Sequence, residues 1–404
     1  MERFERQVIA YTSACHGLVH ILEVTYGVVL VSIAQEFGAS LLVLGVLANI
    51  LGFAFGATAL PAGFLTDRFG ERRLLILCCL GMGVASIAVG LSPSIYILGA
   101  ALAVLGLALG IYHPTGAAFI ARVATQRGLA FGYLGVAGNI GLALGPLLAG
   151  VIASFMGWRA AYFIFAIPAF FLAAMLFFST RPEANFTQQS TTETGAEKLS
   201  LRPVILPLGL IFCASILNGF IYRGTVTFLP LYLSQQIHLT FLNLDSVLIA
   251  GFFTTIALIF GVGGQFLGGY LLERRRHESL VFATALVTLP LLVVVGSSGG
   301  LVLMIAVSAF AFFYFMGQPI YNCLIADYTP TDWRGRAYGI SFFCSFGIGS
   351  FSASLMGYVA DRLGTNWVFM VAAGFGLLVL ICTIALLVRA LGISRHQIDT
   401  YDSV

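Results

Sequence analysis

The segment GFLTDRFGERR, residues 63–73, is a short charged stretch between two long apolar runs, and it decides the fold. Its first part returns as GYLLER at residues 269–274, which is 206 positions later. A second segment, RGLAFG at residues 127–132, returns as RGRAYG at residues 334–339, which is 207 positions later. Two matches at nearly one offset, close to half of the 404 residues, predict a chain built from two similar halves.

The composition excludes an ordinary soluble protein. Hydrophobic residues make up 59% of the chain and charged residues 9%, whereas a soluble domain carries about 25% charged residues. The mean hydropathy is +0.98. We therefore expect the lipid bilayer to surround the protein. The net charge of +3 is too small to indicate a nucleic-acid partner.

Twelve apolar runs are long enough to cross a membrane, since a transmembrane helix takes about 20 residues. With six spans in each half, the repeats run parallel, and an axis along the membrane normal relates them. The sequence thus predicts an all-α membrane protein with twelve transmembrane helices in two pseudo-symmetric six-helix bundles. The predicted spans are 9–34, 41–66, 74–92, 94–121, 130–154, 159–179, 204–234, 246–272, 279–297, 300–327, 337–361 and 366–390.

The predicted domains follow from these spans. Residues 1–180 form an N-terminal six-helix bundle, and residues 204–404 form a C-terminal bundle with a short tail. Between them, residues 181–203 are polar and predict a cytoplasmic linker. Seventeen of the 20 Lys and Arg residues lie on the side that holds both termini. By the positive-inside rule, both termini face the cytoplasm, in a cell's inner (plasma) membrane.

Residues 63–73 resemble a signature of the major facilitator superfamily, G-x-L-x-D-R-x-G-R-R/K, which lies between the second and third helices. The resemblance to the superfamily covers the whole chain. It implies a gate in which a bond forms in one conformation and breaks in the other. A positive loop that only sets topology is the alternative. The predicted gating residues are Gly63, Asp67, Arg68, Gly70, Arg72, Arg127, Glu273 and Arg334.

The fifth span contains GLALGPLLAG, residues 141–150, which resembles the superfamily's antiporter signature. That resemblance implies a hinge at Gly141, Gly145 and Pro146. A packing seam of the G-x-x-x-G kind is the alternative. Residues 112–150 as a whole resemble the fosmidomycin-resistance branch of the superfamily, which implies proton-driven export of a substrate that varies within the branch.

Ionisable side chains within the spans are few, and each costs at least ~2.5–3.5 kcal/mol at the bilayer centre. His16, His20 and Glu23 are spaced by four and three residues, so they share one helix face. We expect that face to line a central cavity, with Glu23 as proton carrier and the histidines as a relay. In the alternative, the histidines only bond to backbone carbonyls of neighbouring helices.

Arg223 lies in the seventh span, the repeat mate of the first, at the level of Ile21. We expect it to face Glu23 across the pseudo-axis, and to pair with Glu23 in one state and an anionic substrate in another. A permanent structural ion pair is the alternative. His113 is predicted either to contact the substrate or a proton, or to bond to the carbonyl that Pro114 leaves free. Further predicted substrate contacts, or else interhelical hydrogen-bond partners, are Tyr26, Tyr112, Tyr222, Asn139, Gln318 and Asn322.

These features predict a monomeric secondary transporter that works by alternating access, through rocking of one half against the other. Its expected partners are protons and a small organic molecule of which an organic anion is one class. Proton-coupled antiport that exports the molecule is the first hypothesis, and uptake of an organic anion by symport or exchange is the second. We recognise no catalytic set such as H-E-x-x-H, or G-x-S-x-G with catalytic partners at membrane depth, so we expect no enzyme. The seven cysteines have no metal-ligand spacing, so no cofactor or metal is expected.

Overall fold

The computed structural model describes residues 3–125, 127–179, 202–237, 245–272, 274–329 and 334–401, and these residues are almost entirely helical. The first half contains α1 (Arg3–Phe37), α2 (Leu41–Phe69), α3 (Glu71–Gly90), α4 (Ile95–Val123), α5 (Arg127–Met156) and α6 (Trp158–Phe178). The second half contains α7 (Arg202–Gln236), α8 (Ser246–Leu272), α9 (His277–Ser297), α10 (Gly300–Tyr328), α11 (Arg334–Phe342), α12 (Phe351–Leu363) and α13 (Asn366–Tyr401).

Among the described residues, twelve helical segments are long and apolar enough to span a membrane, which confirms the predicted fold class. The eleventh span is composite. A π-helical turn, Phe343–Gly347, and a 3-10 turn, Ile348–Ser350, join α11 to α12. Such irregular turns shift the helix register and often occur at functional sites.

Several helices are longer than the apolar runs that predicted them. The α1 helix begins at Arg3, and its first turn includes Glu5, whose carboxylate accepts hydrogen bonds from the backbone N–H and the hydroxyl of Thr125. A tertiary contact therefore stabilises a polar helix start that hydropathy alone does not detect. At the junction of α2 and α3, Gly70 has a φ of 82°. Only glycine adopts that conformation without strain, so this residue permits the sharp reversal within the charged loop.

The two halves repeat one packing scheme. In the first half, α1 packs on α5, α2 on α4, and α3 on α6. In the second half, α7 packs on the composite eleventh span, α8 on α10, and α9 on α13. Each pair in one half has its repeat counterpart in the other, as the internal sequence matches lead one to expect.

We call the end of the bundle at which α1 begins the terminal end, and the other end the opposite end. Close contacts between the halves concentrate toward the opposite end. There Gly27 packs against the backbone of Thr227, and Gly45 packs against the backbone of Ala353, so that a Cβ atom at either glycine would meet a carbonyl oxygen. In addition, the carboxylate of Asp361 accepts hydrogen bonds from the N–H groups of Leu41 and Leu42, at 2.8 and 2.7 Å. Because α2 starts at these two residues, the carboxylate caps a helix N-terminus of the other half.

The substitution Asp361→Asn should weaken closure of the opposite end. A hydrogen bond to a charged group contributes about 1.5 kcal/mol or more, so the closed population should fall about tenfold relative to the open one. Spin labels would be attached at Ser94→Cys in the first half and Ser298→Cys in the second half, both at the end of the bundle that we call the opposite end. A larger fraction of long distances between the two labels would report the opening. Asp245→Asn is the matched control, because Asp245 caps its own helix at Val247 and does not cross between the halves. Equal distance distributions in both variants would contradict this role.

Candidate functional site

A cavity of about 390 Å³ lies between the halves, on the terminal side of the contacts that close the opposite end. Its described lining contains no Asp, Glu, Lys or Arg, so its polarity comes from histidine, amide, hydroxyl and phenol groups. The polar lining residues are His16, His20, His113, Asn139, Ser215, Asn218, Tyr222, Gln265, Tyr314, Gln318, Tyr321, Asn322, Ser341 and Ser345. A larger hollow of about 630 Å³ lies at the terminal end of the first half and not between the halves.

Two histidines of α1 form a hydrogen-bonded chain that starts at the wall of the cavity. His16 Nδ1 lies 2.7 Å from the backbone carbonyl oxygen of Leu134 in α5. His16 Nε2 lies 3.1 Å from His20 Nε2, and His20 Nδ1 lies 2.8 Å from Glu23 Oε2. The chain thus connects a backbone group of α5 to a carboxylate in the middle of α1.

Glycines of α5 make room for this chain. A Cβ atom at Gly138 would overlap the imidazole of His16, and one at Gly141 would overlap the backbone of Gly17. A Cβ atom at Gly145 would overlap the side chain of Val24 and lie close to the backbone of Ile21. The antiporter-like motif therefore forms a packing seam with α1 inside the first half, while the Pro146 carbonyl approaches Gly251 of the second half. The hinge role stays a prediction.

Glu23 of the first half forms an ion pair with Arg223 of the second half. Its Oε1 lies 3.2 Å from Nη2 of Arg223 in α7, and Tyr222 donates a weak hydrogen bond to it at 3.4 Å. The side chains of Glu23 and Arg223 are 1% and 5% exposed. The predicted encounter of these two side chains is therefore present, in a buried position behind His20 and Tyr222. The guanidinium lies away from the cavity, beside Tyr26 and Gly27.

The hydrogen-bond roles in the chain are constrained by its ends. A carbonyl only accepts, so His16 Nδ1 carries a hydrogen. An ionised Glu23 also only accepts, so His20 Nδ1 would carry one too. Two neutral imidazoles with those hydrogens would point their Nε2 lone pairs at each other across 3.1 Å. One additional positive charge, supplied by a cation between the rings or by a proton on the chain, removes this conflict.

The structure separates the predicted substrate contacts into two groups. His113, Tyr222, Asn139, Gln318 and Asn322 line the cavity, as do His16 and His20. Arg223, Tyr26 and Tyr112 are not among the lining residues. The Tyr26 hydroxyl donates to the Leu44 carbonyl at 2.8 Å and the Tyr112 hydroxyl to the Thr12 carbonyl at 2.7 Å, so both serve interhelical packing.

The polar lining residues that the sequence did not predict include Asn218, Tyr314 and Tyr321. Tyr314 and Tyr321 lie four residues before and three after Gln318, on one face of α10, so helical spacing from Gln318 could have found them. Their neighbour Asn218 offers its carbonyl to the Tyr314 hydroxyl at 2.8 Å. The cavity wall is joined across the halves by Asn139, which bonds to Gln265, and Gln265 bonds to Gln318 at 2.6 Å.

Comparison with known proteins supplies the family. The family model described as Major Facilitator Superfamily matches residues 12–354, which is most of the chain. The chain belongs to the major facilitator superfamily. Family and fold together indicate a multi-pass membrane transporter of small solutes.

Among its curated superfamily relatives is the cis,cis-muconate transport protein of Acinetobacter baylyi, 25% identical over 92% of this chain and 90% of that one. A probable sulfoacetate transporter, SauU of Cupriavidus necator, is 28% identical over 60% of this chain and 59% of its own. The multidrug resistance protein MdtG of Yersinia enterocolitica is 36% identical over 32% of each chain.

Solved superfamily structures share the fold at low identity. A bacterial homologue of the human lysosomal transporter Spinster, in an inward-facing and occupied conformation, has a TM-score of 0.77 at 15% identity, covering 96% of this chain and 97% of that one. The nucleoside transporter NupG has a TM-score of 0.77 at 12% identity, covering 96% of this chain and 99% of that one.

The structure describes only some of the predicted gating residues of the loop signature. Arg72 donates to the backbone carbonyls of Leu176, Phe177 and Ser179 and so holds the end of α6 within the first half. Arg68 lies over the Phe69 ring, 5.4 Å from its centroid, and Gly63 has no atom within 4 Å of where a Cβ would be. Glu71, which replaces a basic residue of the signature, forms an ion pair with Arg122. Glu273 and the side chains of Asp67, Arg127 and Arg334 lie outside the described residues, so their gating bonds stay predictions.

Proposed function

We propose that this protein is a proton-coupled antiporter that exports a small organic solute, and that it lies in the cell's inner membrane with both termini in the cytoplasm. The observation that carries the proposal is the buried ion pair between Glu23 and Arg223, one residue from each half. A carboxylate that both takes up a proton and binds across the halves connects protonation to the relative position of the halves.

The proposed cycle starts at the cavity wall. A proton that reaches His20 moves to Glu23 over the 2.8 Å bond between Nδ1 and Oε2. Protonation neutralises the carboxylate, so Arg223 loses its counter-ion and the attraction between α1 and α7 weakens. The groups that face Glu23 are His20, Tyr222 and Arg223. His16 and His113 complete the titratable set around His20.

Alternating access follows from where the halves touch. The contacts of Asp361 with α2 and of Gly27 with Thr227 close the opposite end, and the cavity lies on the terminal side of them. With the termini in the cytoplasm, this arrangement is inward-facing. Rocking of the halves about the level of Glu23 would break these contacts and expose the same cavity to the outside.

A second candidate is uptake of a small organic anion by symport or exchange. It is favoured by two relatives whose names specify organic anions, muconate and sulfoacetate. It is also favoured by a cavity lining with no described carboxylate. The buried guanidinium of Arg223 does not line the cavity but pairs with Glu23 behind the lining residues His20 and Tyr222. In this mechanism, the anion would replace the Glu23 carboxylate as the partner of Arg223, and Glu23 would take up a proton in the same step. The resemblance of residues 112–150 to the fosmidomycin-resistance branch favours export instead.

The direction of proton movement separates the two candidates. Purified protein would be reconstituted into liposomes of defined protein orientation that contain a pH-sensitive dye, with muconate and sulfoacetate as first probes. Antiport should raise the internal pH as the probe enters, because protons leave in exchange. Symport should lower it. A flux that neither moves protons nor responds to an imposed pH gradient would remove proton coupling from the proposal.

A further inference from the structure

Three imidazole side chains converge at the cavity wall: His16 and His20 of α1 and His113 of α4. One ring nitrogen from each lies within 4.8 Å of the others. The ring centroids of His16 and His20 lie 4.8 Å apart, and the His113 centroid lies 5.2 Å from that of His16 and 5.6 Å from that of His20. All three side chains belong to the lining of the cavity.

The outer nitrogens of His16 and His20 are held as they are in metal centres. A histidine that binds a metal usually donates its second ring N–H to a carbonyl or carboxylate, which fixes the ring. His16 Nδ1 faces the Leu134 carbonyl, and His20 Nδ1 faces the Glu23 carboxylate. Both Nε2 atoms are thereby left available, 3.1 Å apart, between the rings.

The spacing of those Nε2 atoms suits a shared ion. Imidazole nitrogens bind Zn²⁺ at 2.0–2.1 Å, so two of them on a tetrahedral ion lie about 3.3 Å apart. The observed separation of 3.1 Å is close to that value. A cation there also removes the conflict between the two facing lone pairs.

His113 supplies the third group. Its buried Nε2 has no hydrogen-bond partner among the described residues. The ring is held by aromatic neighbours, with Phe342 at 4.9 Å and Phe55 at 5.5 Å between centroids. A buried polar nitrogen without a partner is costly, and coordination to a metal would satisfy it.

We propose that His16, His20 and His113 form a binding site for a divalent transition-metal ion of the zinc class within the central cavity. Imidazole ligands suit Zn²⁺, Ni²⁺ and Cu²⁺, and disfavour Mg²⁺ and Ca²⁺, which take oxygen ligands. Three protein ligands leave a fourth coordination position free for water or a small anion from the cavity. The proposal rests on the geometry of the rings and not on the proposed antiport, although His16 and His20 belong to both.

The test measures metal binding to purified full-length protein, without a histidine tag and in detergent. The chain has six histidines, so the background variant His238→Ala/His277→Ala/His396→Ala keeps only the three histidines of the cavity. Titration with Co²⁺ should produce the intense visible absorption of a tetrahedral nitrogen-ligated ion at one ion per chain. Zn²⁺ should displace the Co²⁺, and a hundredfold excess of Mg²⁺ should not.

In that background, His113→Ala should lower the Zn²⁺ affinity by at least about tenfold, the lower bound for loss of a second-shell group. His20→Ala should lower it as well, and it serves as the second variant if one of them folds poorly. Unchanged size-exclusion profiles establish folding. Absence of Co²⁺ absorption in the folded background variant, or Zn²⁺ affinity that is the same with and without the cavity histidines, would overturn the site. Neither result would bear on proton-coupled flux.

Discussion

Replacing Glu23 with glutamine is expected to abolish proton-driven transport while substrate exchange continues. Glutamine has nearly the same shape but cannot release or bind the proton that the carboxylate carries. The halves can still rock with substrate bound on each pass, since exchange requires no net proton movement. We expect flux driven by a pH gradient to fall at least about 100-fold, in line with a group that acts in an obligatory proton-transfer step.

Substrate exchange by the variant shows, in the same liposomes, whether the protein is folded. Removing one partner of a buried ion pair costs about 3–5 kcal/mol, so Glu23→Gln leaves Arg223 unpaired and will lower stability. Counterflow of labelled muconate in the same liposomes shows whether folded protein remains. Glu36→Gln is the matched control, because Glu36 lies on the same helix and bonds to Arg159 and Trp158 within the first half. Gradient-driven flux that survives in Glu23→Gln would exclude this carboxylate as the coupling group.

The second large effect is expected at the seam between α1 and α5. Gly141→Ala places a methyl group where the Gly17 backbone already lies. Because two helix backbones must separate to admit it, the substitution should destabilise the first half by about 1–3 kcal/mol. It should also displace His16 from the Leu134 carbonyl, since the two groups lie on the helices that move apart.

Gly132→Ala in the same helix is expected to change the stability in the opposite direction. No atom lies within 4 Å of a Cβ at that position. Alanine there should be neutral or stabilising, by up to about 1 kcal/mol, since alanine favours a helix over glycine. Thermal unfolding in detergent, followed by tryptophan fluorescence, measures both variants. Equal unfolding temperatures for the two alanine variants would contradict the seam.

The sequence was sufficient to predict the fold because lipid imposes long apolar runs and duplication leaves a constant offset. It also placed Glu23 and Arg223 near each other, since the repeat register puts their helices in equivalent positions. It could not place the hydroxyls of Tyr26 and Tyr112. A buried tyrosine on a helix that faces a cavity and one that faces a neighbouring helix have the same sequence pattern, and the nearest free carbonyl decides between them.

The composite eleventh span was likewise beyond sequence reasoning. A π-helical turn at Phe343–Gly347 lets Gly347 approach Gly56 of α2 and lets Ser345 approach Gly219 of α7. The span is apolar along its length, and the glycines and serines at the break do not by themselves specify a π-helical turn. Its cause is tertiary, because two helices from different halves pack on the same turn.

The helix crossings at Gly17 and at Gly219 show what the two halves share and where their side chains differ. Gly17 meets Gly141 in the first half, and its counterpart Gly219 meets Ser345 in the second, so both copies keep the backbone crossing. Beside these crossings the first copy carries His16 and His20, and the second carries Asn218 and Tyr222. The first copy therefore carries side chains that can bind a proton, whereas the second copy holds the permanent cation Arg223 nearby. The two halves are therefore alike in backbone packing but not in charge, and a proton bound by the first half changes the charge of that half alone.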